Sequence, residues 1–447
     1  MAKRKKKSDP LLINDGAYTT AVFLRRIGKL KDASIVPGRL TIFSGPNGSG
    51  KTTALYSLYG VLSARIAKFR TQYTDDLARA LTENGSVTVD PRTLSDDLWE
   101  KLSDAAAAFF SESLPDVLNC DLSLLPDAKI SFRVNRQNAF ASWGDEWNFR
   151  NVVMAGESLL MSSEMDGDRP LLTFRIGDRS RPIGSLSQYI ANVLFDVTAF
   201  PFQNRCYLLP SERAGINLFY QELNSRRTAL ISNLQKKDID PMQLMRDVML
   251  SRYARPIADY IDLLNEFVGA KRVEGEYAHL ADQLDQIALG SFELSKDGSI
   301  FFRPKGAKKN KLSLHLAASS AKSLYGLSHL LRYRLEEHDV VMIDEPELNL
   351  HPDAQRSFAQ FVGRMVSSGL SVMLSTHSDY IVREINTLML SKDSGNRIDP
   401  EDVELYLFDA GGDASRIAKD EHGNFAIDPF ESSIRALNDA FVSVMFD

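Results

Sequence analysis

Cysteine is nearly absent. Only Cys120 and Cys206 occur in 447 residues, and they stand far apart. That argues against both a disulfide framework and a cysteine-built zinc site. Long apolar runs are missing too, and no stretch approaches the ~20 residues that a helical membrane span needs. The opening segment, Met1-Ala2-Lys3-Arg4-Lys5-Lys6-Lys7, is charged with no apolar segment behind it, so no secretory signal is expected. A cytoplasmic protein without membrane attachment is the expectation. Net positive charge is lacking as well: the chain carries −6, although its first ten residues hold five positive charges against one negative. The body is therefore more acidic than the whole, which argues against a broad sequence-independent DNA-binding face. The basic run reads as a mobile, solvated terminus over 1–17, with a nucleic-acid or acidic-partner contact as the alternative. There is no internal repeat, low-complexity segment or sustained heptad pattern.

What is present begins with a hydrophobic fraction of 44%, ample for a packed core in a chain long enough for two or three domain-sized units. Gly45-Pro46-Asn47-Gly48-Ser49-Gly50-Lys51-Thr52 reads G-x-x-x-x-G-K-T, a phosphate-binding loop. Glycines let successive backbone N–H groups converge on a polyphosphate without Cβ clashes. The Lys51 ammonium can reach the β- and γ-phosphates, and the Thr52 hydroxyl can ligate Mg²⁺. Arg39–Ser44 looks like the preceding strand, and Thr53 to Leu58 opens a helix whose N-terminus favours an anion.

Val340-Val341-Met342-Ile343 is a continuous apolar run, as in a strand buried on both faces of a parallel sheet, and it ends in Asp344-Glu345-Pro346-Glu347. Carboxylates at such a strand end hold a nucleotide's metal. Asp344 is expected to bind Mg²⁺ through water, and Glu345 to polarise the attacking water. A second buried strand, Val372-Met373-Leu374-Ser375, runs into Thr376-His377-Ser378. His377 then stands where a neighbouring strand finishes, as a contact to the γ-phosphate or the catalytic water.

Elsewhere the periodicity predicts a helical patch over 61–82, a helix near Leu94–Ser113, and an antiparallel sheet from short segments at 130–134, 152–154 and 171–176. A strand at Arg205–Leu209 precedes Pro210-Ser211-Glu212-Arg213. Helices dominate 218–289, with Tyr260, Leu263, Leu264 and Phe267 at core spacing. A hairpin fits 292–294 with 300–303, turning at Asp297-Gly298. A strand fits 403–408, and a last helix fits 431–446.

Together, D-E-P-E-x-x-L-H-P (Asp344 to Pro352) and S-T-H-S (Ser375 to Ser378) resemble the ABC-type ATPase superfamily. More narrowly they resemble its OLD-like (overcoming lysogenization defect) branch, a relative of the SMC-type repair ATPases. Leu209-Pro210-Ser211-Glu212-Arg213 resembles that branch's strand-to-helix junction, and Ala318-Ser319-Ser320-Ala321-Lys322 its version of the ABC signature. The resemblance covers about residues 18–430. It implies an α/β P-loop NTPase: an ABC-ATPase head with a mixed/parallel core sheet (18–60 and 290–447), an antiparallel β insertion (61–209) and a helical insertion (210–289). ATP and Mg²⁺ are the implied cofactors. ATP on Gly45–Thr53 of one head would meet Ser319 and Ser320 of another packed head-to-tail, with Asp353 reaching across, and Glu345, His377 and Lys51 as catalytic residues. Higher oligomers are also open. The sequence departs from the standard signature, whose two adjacent glycines are here Ser320 and Ala321, so hydrolysis is expected to be slow or partner-dependent. Gln203 is the nearest residue to a Q-loop glutamine.

The nuclease domain that follows fused OLD-type heads is not expected in the residues after Asp393. The leading expectation is therefore an ATPase subunit that holds, releases or activates an effector, such as a nuclease encoded nearby, in bacterial anti-phage defence. The alternative is a repair ATPase clamping DNA, which Lys305, Lys308, Lys309 and Lys311 would serve. A transporter ATPase fits least, because about 270 residues separate Lys51 from Ser319.

Overall fold

The computed structural model describes residues 20–63, 68–141, 150–155, 158–166, 169–200, 205–233, 253–268, 273–307, 310–391 and 397–425. The basic terminus, Gln203, Lys308, Lys309 and the helix expected at 431–446 lie outside these residues. In chain order the elements are β1 (Thr20–Ile27), β2 (Leu30–Ile35), β3 (Leu40–Ser44), α1 (Lys51–Leu62), α2 (Gln72–Asn84), β4 (Ser86–Val89), α3 (Asp96–Leu118) and β5 (Lys129–Val134). Then come α4 (Arg136–Ala141), β6 (Arg150–Ala155), β7 (Ser158–Asp166), β8 (Arg169–Ile176), α5 (Ile183–Ala199), β9 (Cys206–Leu209) and α6 (Arg213–Asn233). α7 (Arg255–Glu266), α8 (Ala278–Ile287), β10 (Gly290–Leu294), β11 (Ile300–Pro304), β12 (Leu312–Ser313), α9 (Ser319–Tyr333) and β13 (Val340–Asp344) follow. α10 (Pro352–Ser367), β14 (Ser371–Thr376), α11 (Asp379–Leu390), β15 (Val403–Phe408) and β16 (Ala414–Arg416) complete the described chain. None of the described helices is long and apolar enough to cross a membrane.

The chain divides into two units, one from segments within 1–37, 60–115 and 120–203, the other from 38–59, 116–119 and 204–447. The first holds two antiparallel sheets, ordered β2-β1-β5 and β4-β8-β7-β6. The strand at 129–134 therefore pairs with β1 rather than joining 150–176. Alternation identifies a strand but not its partner, and here Ile130 lies opposite Leu24 and Phe132 opposite Val22 on a buried face. Aromatics fill this unit: Phe195 lies 5.1 Å from Phe132 and stacks on Trp99 at 6.0 Å between centroids. Phe195 comes from α5, whose Leu186, Ile190, Leu194 and Val197 recur at helical spacing and are buried. α2 starts at a capping box in which Thr71 and Thr74 each bond the other's backbone N–H, and it ends at Gly85 with φ +81°.

The second unit is built on a six-stranded sheet ordered β16-β15-β3-β14-β13-β9, in which all but β16 run parallel. β3 and β13 are buried throughout, which is why β13 reads as an unbroken apolar run up to Asp344 and β3 carries only Thr41 and Ser44 among its apolar residues. Because the strands are parallel, the carboxyl ends of β3, β9, β13 and β14 emerge on one edge. The expected core stripe Tyr260, Leu263, Leu264 and Phe267 lies buried on and just beyond α7. The expected hairpin is β10–β11, with Phe292 opposite Phe302 and Gly298 at φ +85° in the turn.

Where α8 meets α9, Asp285 accepts a 2.8 Å hydrogen bond from Ser328 and lies 3.3 Å from the Arg332 guanidinium. Burial nevertheless pushes its carboxyl up to about 6, with both partners opposing the shift. A carboxyl that holds its proton more tightly folded than unfolded stabilises most at acid pH and loses that contribution as pH rises through its folded value. Asparagine can keep both contacts without a charge. Relative to Asp285→Asn, the native protein should lose melting temperature from about pH 4 upward and level off above about pH 6. A pH-independent difference in Tm would show that folding leaves the carboxyl's affinity for its proton unchanged.

Candidate nucleotide site

β3 delivers the chain to Ser44, and the loop Gly45–Gly50 carries it into α1. Three glycines in the loop have positive φ: Gly45 at +144°, Gly48 at +68° and Gly50 at +100°. At Gly45 the requirement is also steric, since a Cβ there would sit 2.2 Å from the Phe408 carbonyl oxygen on β15. Pro46, Asn47 and Gly48 are exposed, whereas Ser49 is buried and its hydroxyl finds no partner among the described residues. The first helical hydrogen bond runs from Ala54 to Gly50, so the N–H groups that open α1 face an incoming anion unbonded within the helix. Thr53 stands half-buried in that turn, its carbonyl accepting from Ser57. Lys51 is only 4% exposed, and its ammonium donates to the carbonyls of Gly45 at 3.0 Å and Pro46 at 2.9 Å. Burial lowers its pKa, and the nearby carboxylates Glu345, Asp344 and Glu347 act against that. A polyphosphate would give this ammonium a far stronger acceptor than two carbonyls do.

Asp344 ends β13 fully buried. Thr52 Oγ1 donates to its Oδ1 at 3.0 Å, and Ser375 Oγ donates to the same oxygen. Burial raises the Asp344 carboxyl, and those two hydroxyls pull against it. Adjacent oxygens of an octahedral Mg²⁺ shell, with Mg–O near 2.0–2.1 Å, lie about 2.9 Å apart. The Thr52–Asp344 spacing therefore suits a shared Mg²⁺, held directly by the hydroxyl and directly or through water by the carboxylate. That ion would neutralise the buried charge and screen the phosphates.

Glu345 is the next residue, and its backbone sits at φ +48°. For a residue with a Cβ this left-handed conformation costs about 1–2 kcal/mol. It persists because both ends of the residue are tied. Its N–H bonds the Ser375 carbonyl at 3.0 Å, with Ser375 Oγ 3.1 Å away, and its carbonyl accepts from Arg213 Nη2 at 3.0 Å. The carboxylate consequently meets His377, whose Nε2 lies 3.0 Å from Glu345 Oε1. On its other side, His377 Nδ1 lies 2.9 Å from the Gly45 carbonyl, which can only accept, so that nitrogen carries a proton. Lys51 Nζ donates to the same carbonyl, which explains its 3.3 Å approach to Nδ1 as a shared acceptor. The His377 backbone N–H donates to Glu347 Oε1 at 2.5 Å.

The parallel sheet thus brings together Lys51, Thr52, Asp344, Glu345 and His377. Among the described residues, no hydrogen bond joins Ser319, Ser320 or Asp353 to that cluster. Ser319 is exposed at the start of α9 and Ser320 half-buried beside it, while Asp353 projects from the first turn of α10. Ala321, where the standard signature has glycine, is buried.

Three participants have no role that the sequence alone reveals. Arg213 is 2% exposed and donates to the carbonyls of Pro210, Asp344 and Glu345 at 3.1, 2.7 and 3.0 Å. Burial lowers its pKa. Ser375 holds Asp344, and Glu347 holds the His377 backbone. Each lies within a segment marked by its strand end, but the backbone groups that Arg213 and Glu347 bond, and the neighbouring-strand carboxylate that Ser375 bonds, leave no trace in residue spacing. Lys311, weighed as a DNA contact, bonds Glu293 at 2.8 Å and lies 4.3 Å from the Phe301 ring centroid.

Residues 177–383 match a protein-family model described as "AAA domain, putative AbiEii toxin, Type IV TA system". No curated protein sequence matches the chain. Solved structures similar to it include the SmcHead bound to the C-winged helix domain of ScpA, at 13% identity and TM-score 0.37, covering 90% of this chain and 97% of that one. Another is the Smc head domain with an extended coiled coil bound to the C-terminal domain of ScpA derived from Pyrococcus furiosus, at 13% identity and TM-score 0.34, covering 95% and 99%. The SMC head domain from Thermotoga maritima is similar at 10% identity and TM-score 0.33, covering 90% and 99%. With its loop between β3 and α1 and its paired carboxylates at the end of β13 in a mainly parallel sheet, the chain has the α/β fold of a P-loop NTPase.

Proposed function

We propose that this chain binds ATP with Mg²⁺ and hydrolyses it between two copies packed head-to-tail. The observation that carries this reading is the convergence of Lys51, Thr52, Asp344, Glu345 and His377 on one sheet edge. Gly45–Thr53 cradle the phosphates, Lys51 neutralises them, and Thr52 with Asp344 hold the metal. Glu345 orients the attacking water, and His377, fixed by Gly45 and Glu345, contacts the γ-phosphate or that water. Ser319 and Ser320 of the second copy complete the site, with Asp353 reaching across. An exposed helix start that no residue of its own site engages suits such a contact. A two-fold arrangement of this kind is isologous and closes on itself.

The purpose of the ATPase, in this reading, is to hold, release or activate a partner effector in anti-phage defence. The toxin–antitoxin wording of the matched family supports a partnered system, as does an acidic body suited to a protein partner. Mass photometry of the chain expressed with its flanking genes, with and without ATP, tests it. A second gene product retained in an assembly that changes with nucleotide is the expected result. A lone protein that dimerises only with ATP and DNA, with a steep salt dependence, would move the answer to DNA repair.

A further inference from the structure

The first turn of α6 touches both halves of the proposed reaction. At its first position Arg213 holds the carbonyls of Asp344 and Glu345. One turn later Asn217 faces α9, where its Nδ2 donates to the Lys322 carbonyl at 2.8 Å. Its Oδ1 accepts from the Tyr260 hydroxyl of α7 at 2.7 Å. Lys322 belongs to the opening turn of α9, which begins with Ser319 and Ser320, and Ser323 Oγ binds the Ser320 carbonyl at 2.8 Å. Asn217 and Tyr260 are each 1% exposed. The hydroxyl occupies the space that a side chain at 326 would need, since a Cβ on Gly326 would lie 1.8 Å from it. A buried, close-packed chain of hydrogen bonds passes a displacement on rather than absorbing it.

We infer that Arg213 and Asn217 are positioning residues that couple the two half-sites carried by one chain. When ATP on a second copy engages Ser319 and Ser320, the first turn of α9 shifts, α6 follows, and Arg213 resets the backbone of Glu345. The left-handed Glu345 peptide makes this link effective, since a small rotation there swings the carboxylate toward or away from the water it must orient. Occupancy of one site then raises turnover at the other. Neither residue bonds a side chain of Lys51, Thr52 or Asp344, and Arg213 meets Asp344 only at its carbonyl, so ATP affinity stays outside the link. The inference rests on Glu345 and the Ser319–Ser320 turn having the roles proposed above.

The test is a double-mutant cycle on the full chain, reading ATP turnover against ATP concentration, with affinity for a fluorescent ATP analogue and Tm measured alongside. Arg213→Lys and Asn217→Ala should each lower kcat about tenfold and flatten the cooperativity in ATP, with KM and analogue affinity unchanged. Their combination should lose no more than the worse single variant, because both break one link. Tyr260→Phe, which removes only the hydroxyl, should give a smaller loss of the same kind. If Arg213→Lys fails to fold, Asn217→Ala and Tyr260→Phe carry the same cycle. Additive losses that follow Tm, or a parallel loss of analogue affinity, would mean a structural role and overturn the coupling. So would native turnover in both singles beside an inactive Glu345→Gln. Native turnover in Glu345→Gln itself would instead sink the reading of the site, and the coupling with it.

Discussion

Glu345→Gln should abolish steady-state ATP hydrolysis while leaving ATP bound. The substitution keeps the size of the side chain and its reach to His377 Nε2, 3.0 Å from Oε1 in the native protein. It removes the charge that would polarise a water, and a well-placed general base contributes about 10²–10⁴-fold in rate. A drop in kcat of that order, with nucleotide affinity unchanged, is the expected outcome. Because hydrolysis is what releases the proposed two-copy state, the variant should also accumulate as an ATP-dependent dimer. Single-turnover kinetics and mass photometry on one preparation read both. An unchanged oligomer distribution with ATP would count strongly against the head-to-tail arrangement, whatever happens to the rate.

Asp344→Asn should move stability and function in opposite directions. Burial already disfavours the charged carboxylate in the nucleotide-free protein. Asparagine can accept the Ser375 bond on its oxygen and donate to Thr52 from its nitrogen, so the contacts survive without the buried charge. The free variant should therefore melt higher than the native protein at neutral pH. Mg²⁺-dependent ATP binding should fall about 30-fold or more, since truncating a buried charge pair costs about 2–5 kcal/mol. Thermal melts with and without Mg²⁺-ATP display both effects, and a variant that loses stability while keeping its Mg²⁺ response would refute the metal-site reading.

The parts of this site visible in the sequence are those where strand burial and polar chemistry abut. Val340–Ile343 and Val372–Leu374 are unbroken apolar runs, and each stops at the residue that serves the site, Asp344 or the Ser375–His377 turn. The same logic places the loop after Leu40–Ser44. Arg213 was beyond reach for a different reason. It acts on the carbonyls of Asp344 and Glu345, some 130 residues away in the chain, and a carbonyl is the same whatever side chain it carries. The 129–134 strand shows the equivalent limit in the fold, its partner being β1 more than a hundred residues earlier. α5 is poorly marked in the sequence although its buried residues recur at helical spacing, because its opening at Gly184 and Ser185 has little helix propensity.

The order of strands in the six-stranded sheet bears on how this protein comes into being. β3 is made early, yet Leu40 pairs with Val372 on one side and Val403 on the other. Non-local pairing of this kind is slow to form, because the long loop must close before any contact compensates for it. On the ribosome, the phosphate loop waits for β14 and β15, each more than three hundred residues further along the chain, before either neighbour of β3 exists. Nascent fragments that end before β14 lack His377 and the strand that flanks β3, so the site's strand-end residues come together only after β14 has been made.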